Sequence, residues 1–301
     1  MIIAVPTAPG PSQVAPGIHR IESDLGPRFM CQYLLVGSER TLLVDTGIAP
    51  TPADVIVPYL DRLGVEPDLV VTSHADVDHS GGNRALRERY PRAVLACHEL
   101  DRRWIESNEA MLRENYAWHT PYGFPEPDAA ELLTLMGGDA PIDVGLRGGE
   151  TIRLGSGWRV EVLHLPGHTA GHIGIWDPRS RAAIVIDAVL ADGIYDRAGT
   201  KLIPPRYYDL GSLRETIGRL QALRPQTLLT AHYPVLGGGE ALDWLEDGRA
   251  FVDDVERIVR EAVSEGTTGL WDLTQRVNAA LGPYPEVMTE LGATVREAAA
   301  A

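Results

Sequence analysis

A chain of 301 residues, 44% hydrophobic and 23% charged, is long enough to bury a core as one large domain or two modest ones without disulfide staples. Its 42 acidic against 27 basic residues give a formal charge of −15, which repels phosphate backbones and anionic lipid surfaces; the expected partner is a small-molecule substrate, with no nucleic acid and no membrane. Cys31 and Cys97 stand far apart and suit a reducing compartment, Met1 to Gln13 lacks the pattern of a signal peptide, and no stretch reaches the length of a membrane span, so a cytoplasmic protein is expected.

After a Pro-rich leader, residues 18–21 and 33–36 read as short strands, and residues 40–44 as a third that ends at Asp45-Thr46-Gly47. Thr51-Pro52 opens a helix with Val55, Ile56, Tyr59, Leu60 and Leu63 on one face, and Gly64 stops it. Leu69, Val70 and Val71 then lead, like the end of a buried strand, into Thr72-Ser73-His74-Ala75-Asp76-Val77-Asp78-His79-Ser80-Gly81-Gly82-Asn83, and a helix follows over residues 84–90. His74, Asp76, Asp78 and His79 fall within six positions of this strand-to-helix loop. Such a loop points neighbouring side chains into one pocket between rigid elements, which is what a bound cation requires. An ordinary Asp- and Gly-rich surface turn is the alternative.

Residues 93–97 read as another buried strand, and residues from about 100 to 140 as a helical insertion broken at Pro121, Pro125 and Pro127. Trp104, Tyr116, Trp118, His119, Tyr122 and Phe124 either wall a pocket or pack this insertion onto the body. A second run of strands covers residues 151–154, 159–163, 173–176 and 182–186, the last ending at Asp187. An amphipathic helix over residues 213–223 precedes a final strand, residues 227–230, which ends at His232. Strand ends that carry potential ligands point to two αβ halves facing each other across a shared cleft. Beyond Gly237-Gly238-Gly239 the chain turns helical, with apolar stripes suited to core or dimer contacts.

His168 in Pro166-Gly167-His168-Thr169, Asp187 in Ile186-Asp187-Ala188 and His232 in Ala231-His232-Tyr233 are weak signals singly. Together with the 74–79 motif and Asp45 they resemble the metallo-β-lactamase superfamily of dinuclear metallohydrolases over residues 17–236. The resemblance implies an α/β fold, an αββα sandwich with metals at one edge of its two sheets. It implies a metal domain over residues 1–239, with the insertion inside it, and a helical appendage over residues 240–301 that closes the cleft or makes a homodimer. One metal would take His74, Asp76 and His168, the other Asp78, His79 and His232, with Asp187 bridging and Asp45 orienting a ligand imidazole from behind. The spare histidines His19, His98, His119, His164 and His172 receive no metal role.

The usual superfamily pattern is HxHxDH, whereas this chain reads HxDxDH. Asp76 is either a third carboxylate ligand, the favoured reading, or the mark of a weakened first site. Two divalent metal ions are expected, zinc first; an oxygen-rich donor set also admits iron or manganese. Flavodiiron proteins show a similar substitution, but they carry a flavodoxin-like domain where this sequence reads as helices without a phosphate-binding loop. The resemblance thus implies a hydrolase of a small ester, thioester or lactone that uses a metal-bridged hydroxide, with Asp78 orienting it and moving a proton. Tyr233, Tyr195 and Tyr207 are candidate oxyanion donors, with structural packing as the alternative. The rival readings are a diiron oxidoreductase or oxygenase and a non-catalytic metal- or ligand-binding protein.

Overall fold

The computed structural model describes residues 11–125, 128–286 and 288–300; the first ten residues of the leader and Pro127 lie outside the described residues. Thirteen of the strands form two sheets. The first sheet runs in chain order: β1 (Ser12–Ala15), β2 (Ile18–Leu25), β3 (Arg28–Val36), β4 (Thr41–Val44), β5 (Leu69–Val71), β6 (Val94–His98) and β7 (Val144–Leu146). It is antiparallel as far as β4 and parallel from β4 to β7. The second sheet holds β8 (Thr151–Gly155), β9 (Trp158–His164), β10 (Ile173–Asp177) and β11 (Ala182–Ile186) in antiparallel order. A small ribbon follows, β12 (Ile194–Tyr195) with β13 (Lys201–Ile203), and then β14 (Thr227–Thr230) joins β11 in parallel and β15 (Leu236–Gly237) closes the edge.

Side-chain alternation along the strands explains why the sheets stack. Leu42 and Val44 of β4, Val71 of β5, and Ala182 and Ile184 of β11 face one shared core between the sheets. Their neighbours face outward: Leu43 and Val70 pack against the helices of the first half, while Ala183 and Val185 pack against those of the second. These side chains are almost all fully buried, and each valine, leucine and isoleucine among them contributes on the order of 1.5–3 kcal/mol. The result is the αββα sandwich expected from the sequence.

The outer layer over the first sheet begins with a π-helical turn, Pro52–Ile56, continued by α1 (Val57–Leu63), which Gly64 ends in a left-handed cap at φ 67°. Next come α2 (Val77–Ser80) and α3 (Asn83–Arg89). The insertion contains α4 (Arg102–Glu106), α5 (Asn108–Ala110), a wide turn over Met111–Tyr116 and α6 (Ala129–Met136). Over the second sheet lies α7 (Leu210–Leu223), whose first turn is capped by the Asp209 carboxylate accepting from Ser212 N at 2.8 Å. Three more helices follow: α8 (Gly238–Ser264), α9 (Leu270–Leu281) and α10 (Met288–Ala300). Phe251, Val255, Val277 and Leu291 from these helices share one core with Ala183 and Leu228 of the second sheet. Among the described residues no helix is long and apolar enough to cross a membrane.

Gly82 shows why the motif needs glycine. A Cβ there would lie 2.4 Å from the Thr46 carbonyl oxygen and 2.5 Å from Pro52, so any side chain would push the motif loop off the first sheet.

Candidate metal centre

The carboxyl ends of two parallel strand pairs, β4 with β5 and β11 with β14, meet at one edge of the sandwich, where crevices of open α/β sheets form. Two sharp turns aim side chains there. Asp45 follows β4 at φ 63°, and Ile186 ends β11 at φ 51° beside a register irregularity. A β-branched residue in this left-handed region is strained by on the order of 1–3 kcal/mol, and the turn directs the next side chain, Asp187, inward.

Four imidazoles are held from behind by Nδ1. His232 Nδ1 lies 2.9 Å from the Phe29 carbonyl and His168 Nδ1 lies 2.8 Å from the Arg206 carbonyl. A carbonyl only accepts, so in both rings Nδ1 carries the proton and Nε2 offers a lone pair. His79 Nδ1 donates to Asp45 Oδ2 at 2.9 Å. Ser73 Oγ donates to the same carboxylate at 2.8 Å, which leaves its lone pair for His74 Nδ1 at 2.9 Å. One buried aspartate therefore sets the tautomers of two rings.

The Nε2 atoms converge on carboxylates. His74 and His168 Nε2 lie 3.1 and 3.0 Å from Asp76 Oδ2. His79 and His232 Nε2 lie 3.2 and 3.1 Å from Asp187 Oδ2, and Asp78 oxygens stand 3.6 and 3.4 Å from the same two nitrogens. Three sets of donors, each with its ligand atoms within 4.8 Å of one another, result: His74, Asp76 and His168; His74, His79 and Asp187; and Asp78, His79 and His232. All seven expected ligand positions are brought together, and Asp187 falls between the two outer sets.

The electrostatics favour a cation. Burial opposes ionisation of Asp187, yet His232 and His79 hold its carboxyl well below the usual range. Burial opposes protonation of His79, yet Asp78, Asp187 and Asp45 raise it far above an ordinary imidazole. Burial and the neighbouring His79 push His74 down to about 4, which keeps it a neutral donor. Among the described residues, Asp187 Oδ1 is buried with no hydrogen-bond partner and His79 Nε2 faces Asp187 Oδ2 at 3.2 Å without the alignment of a hydrogen bond, an arrangement costly without a bound ion.

The three tyrosines considered as oxyanion donors all hydrogen-bond within the loop that follows Asp187. Tyr233 donates its hydroxyl to the carbonyls of Leu190 and Gly193, Tyr195 donates to Asp192 at 2.8 Å, and Tyr207 accepts from Leu190 N at 2.8 Å. They knit the loop after Asp187, and none of them lines the cleft that opens onto Asp76, Asp78 and Asp187. The aromatic insertion divides as well. Tyr116 reaches the site, accepting from Val77 N at 3.0 Å and donating to Asp76 Oδ1 at 3.1 Å. Trp104 instead donates to Glu114, Tyr122 is exposed, and Phe124 packs on Trp271. Among the described residues none of the spare histidines belongs to a donor set; His98 stacks on His164 and His172 on His74, while His19 bonds Tyr59.

Sequence reasoning missed four residues. Asn115, on the wide turn with Tyr116, donates to the Ala75 carbonyl at 2.8 Å. Asp101 accepts from Thr169 Oγ1, Gly171 N and Ala75 N, tying the His74 loop to the His168 loop. Arg206 is buried against Asp76, and Glu290 of α10 backs it. Arg206 follows Pro204-Pro205, a pair that reads only as extended chain.

Residues 26–232 match the metallo-beta-lactamase superfamily. The chain belongs to that superfamily. A hydroxyacylglutathione hydrolase of Synechococcus sp. (strain JA-3-3Ab) is 29% identical over 146 residues, 48% of this chain and 44% of that protein. The chain thus spans under half the length of that curated relative. A metallo-beta-lactamase fold-containing protein of Sulfurisphaera tokodaii is 25% identical over 217 residues, 68% of this chain and 73% of its own length. Among solved structures, a metallo-beta-lactamase family protein from Thermus thermophilus superposes with a TM-score of 0.71 at 20% identity, covering 94% of this chain and 93% of the other. A beta-lactamase domain protein from Burkholderia ambifaria gives 0.75 at 19% identity over 97% and 88%. These likenesses establish the fold.

Membership of the metallo-beta-lactamase superfamily implies a pair of divalent cations, and the donor sets suit them. Ligand atoms 3.0–3.6 Å apart fit around an ion with bonds of about 2.0–2.2 Å. A cleft of about 660 Å³ opens onto Asp76, Asp78, His168, Asp187 and His232. A second hollow of about 770 Å³ reaches His232 from the side of Tyr233 and Trp244, but it meets no other member of the donor sets.

Proposed function

We propose that this chain is a metal-dependent hydrolase of a small, largely apolar ester, thioester or lactone. In this reading His74, Asp76 and His168 would hold one cation and Asp78, His79 and His232 another, with Asp187 between the two donor sets. The cleft carries the proposal: Leu132, Leu135, Leu190, Ile203, Trp271 and Met288 wall a space whose floor is the ligand cluster. Small-molecule sites have this size and this mix of apolar wall with few convergent polar groups.

Bound cations polarise a carbonyl oxygen and lower the pKa of a water. The chain's own residues do the remaining work. Each imidazole is locked to one tautomer, and Asp187 brings the two donor sets together. Asp78 lines the cleft beside His79 and His232, where its carboxylate takes the proton released by the water and returns it to the leaving group. The apolar wall excludes competing water. Zinc leads as the metal, and the oxygen-rich set admits manganese. The oxidoreductase alternative relied on Asp76 as an extra hard ligand for iron; Arg206 takes up the charge of that carboxylate, which favours hydrolysis.

The curated relatives named hydroxyacylglutathione hydrolase suggest a thioester, yet the cleft's charge argues against the glutathione part. Glutathione carries two carboxylates, whose recognition needs unpaired cations. Arg28 faces Glu286 at 3.6 Å, Arg206 is held between Asp76 and Glu290, and Asp128 and Glu131 add negative charge to the same cleft. The test compares kcat/KM for a hydroxyacyl-glutathione thioester with that for the N-acetylcysteamine thioester of the same acyl group. The uncharged thioester is expected to be preferred by about tenfold or more, because like charges across an interface suppress the wrong partner. A preference for the glutathione thioester would overturn the substrate class. No hydrolysis of either, nor of a matched ester and lactone, would overturn the hydrolase.

A further inference from the structure

The two outer donor sets are unequal, and the difference lies in one side chain. Among the described residues, Asp187 Oδ1 beside His79 and His232 is buried without a hydrogen-bond partner, and no arginine or lysine pairs with Asp78 or Asp187. Around His74, Asp76 and His168 the carboxylate already has a cation. The Arg206 guanidinium donates to Asp76 Oδ2, the same oxygen that His74 and His168 face, and one of its nitrogens stands 3.4 Å from His168 Nε2.

Arg206 is fixed there on several sides. Its Nε lies 3.0 Å from Glu290 Oε2, its guanidinium carbon sits 5.4 Å from the Tyr208 ring centroid, and its own carbonyl holds His168 Nδ1. An arginine stays charged in any protein environment, so this positive charge is permanent. A divalent ion at the same carboxylate must share Asp76 with a neighbouring cation. Glu290 offsets part of that repulsion and belongs to α10, so the C-terminal helices help set the charge at the metal edge.

We propose that Arg206 is a resident cation at the first position, a positioning residue that makes this chain fill the Asp78, His79, His232 position tightly and the His74, Asp76, His168 position weakly. The proposal rests on the metal-dependent reading above. Asp76 in place of the usual histidine then makes sense as the partner of an arginine as much as of a metal, since a neutral imidazole would leave the buried guanidinium with one carboxylate fewer.

The test titrates metal-free protein with zinc against a competing chromophoric chelator and counts bound zinc by elemental analysis. Wild-type protein is expected to bind one zinc tightly and a second about tenfold or more weaker, the scale on which groups behind a ligand alter metal affinity. In Arg206→Met the second step tightens by about tenfold or more toward the first, whereas Arg206→Lys keeps the two steps apart. The double variant Arg206→Met with Glu290→Leu removes both buried charges together and is expected to tighten the second step too, so the test survives if the single variant misfolds. Two equal zinc affinities in the wild type would overturn the proposal, as would an unchanged second step in folded variants without Arg206. Ester and thioester turnover is scored separately: an inactive protein with unequal zinc steps counts against the hydrolase alone, and an active one with equal steps counts against Arg206 alone.

Discussion

Asp187→Ala is expected to lower hydrolytic kcat/KM by on the order of 10³-fold, the upper range for removing one group that stabilises charge in a transition state. Its Oδ2 lies 3.2 Å from His79 Nε2 and 3.1 Å from His232 Nε2, and its Oδ1 has no hydrogen-bond partner among the described residues. Among the described residues no other carboxylate approaches those two nitrogens this closely; Asp78 stands 3.6 and 3.4 Å away. Without Asp187 the middle set, His74, His79 and Asp187, loses its carboxylate, so bound metal should fall together with activity. Elemental analysis of the purified variant checks the assignment. Retention of two metals per chain would remove Asp187 from the centre.

Asp45→Ala is expected to act on both stability and metal affinity, while Asp45→Asn should separate the two. The carboxylate is fully buried and accepts from Ser73 N at 2.7 Å, Ser73 Oγ at 2.8 Å and His79 Nδ1 at 2.9 Å. Alanine leaves those donors unsatisfied and sits poorly at φ 63°, for a loss of about 3–5 kcal/mol in folding stability. Asparagine tolerates that backbone and can still accept from Ser73 N. Its amide, however, turns a donor toward His79 Nδ1 or abandons it, which spoils the tautomer that frees Nε2. Asp45→Asn should therefore fold with a modest loss and bind metal about 10–100-fold more weakly. Denaturant melts and chelator competition on the two variants read the two effects independently. An Asn variant with unaltered metal affinity would show that Asp45 is only a structural tie.

The contrast between Asp45 and Arg206 shows which parts of such a site are legible in a sequence. Asp45 ends a strand whose Leu42, Leu43 and Val44 announce it, and His74, Asp76, Asp78 and His79 sit within one loop. Their chemistry is local. His168, Asp187 and His232 were readable because each follows a strong strand or turn signal in the order that the superfamily pattern provides. Arg206 pairs with a residue 130 positions away, and no periodicity or turn signal marks it. The same holds for Asn115, which a wide helical turn presents to the motif loop, whereas its neighbour Tyr116 stood among the aromatics read as a possible pocket wall. Tyr195, Tyr207 and Tyr233 carried two readings in the sequence, oxyanion donor or structural packing. Each stands close in sequence to a ligand or its loop, but the packing of that loop turns the hydroxyls to backbone and to Asp192. The two long runs of strands were plain from their apolar character, whereas β12, β13 and β15, at two or three residues, are too short to display an alternation.

The central claim is that hydrolysis here depends on cations held by this ligand cluster. The most direct measurement is turnover of the N-acetylcysteamine thioester before chelation, after exhaustive chelation, and after zinc or manganese is restored. Activity should vanish on chelation and return with added metal, in proportion to the metal bound. Hydrolysis that persists in the metal-free protein would contradict the account.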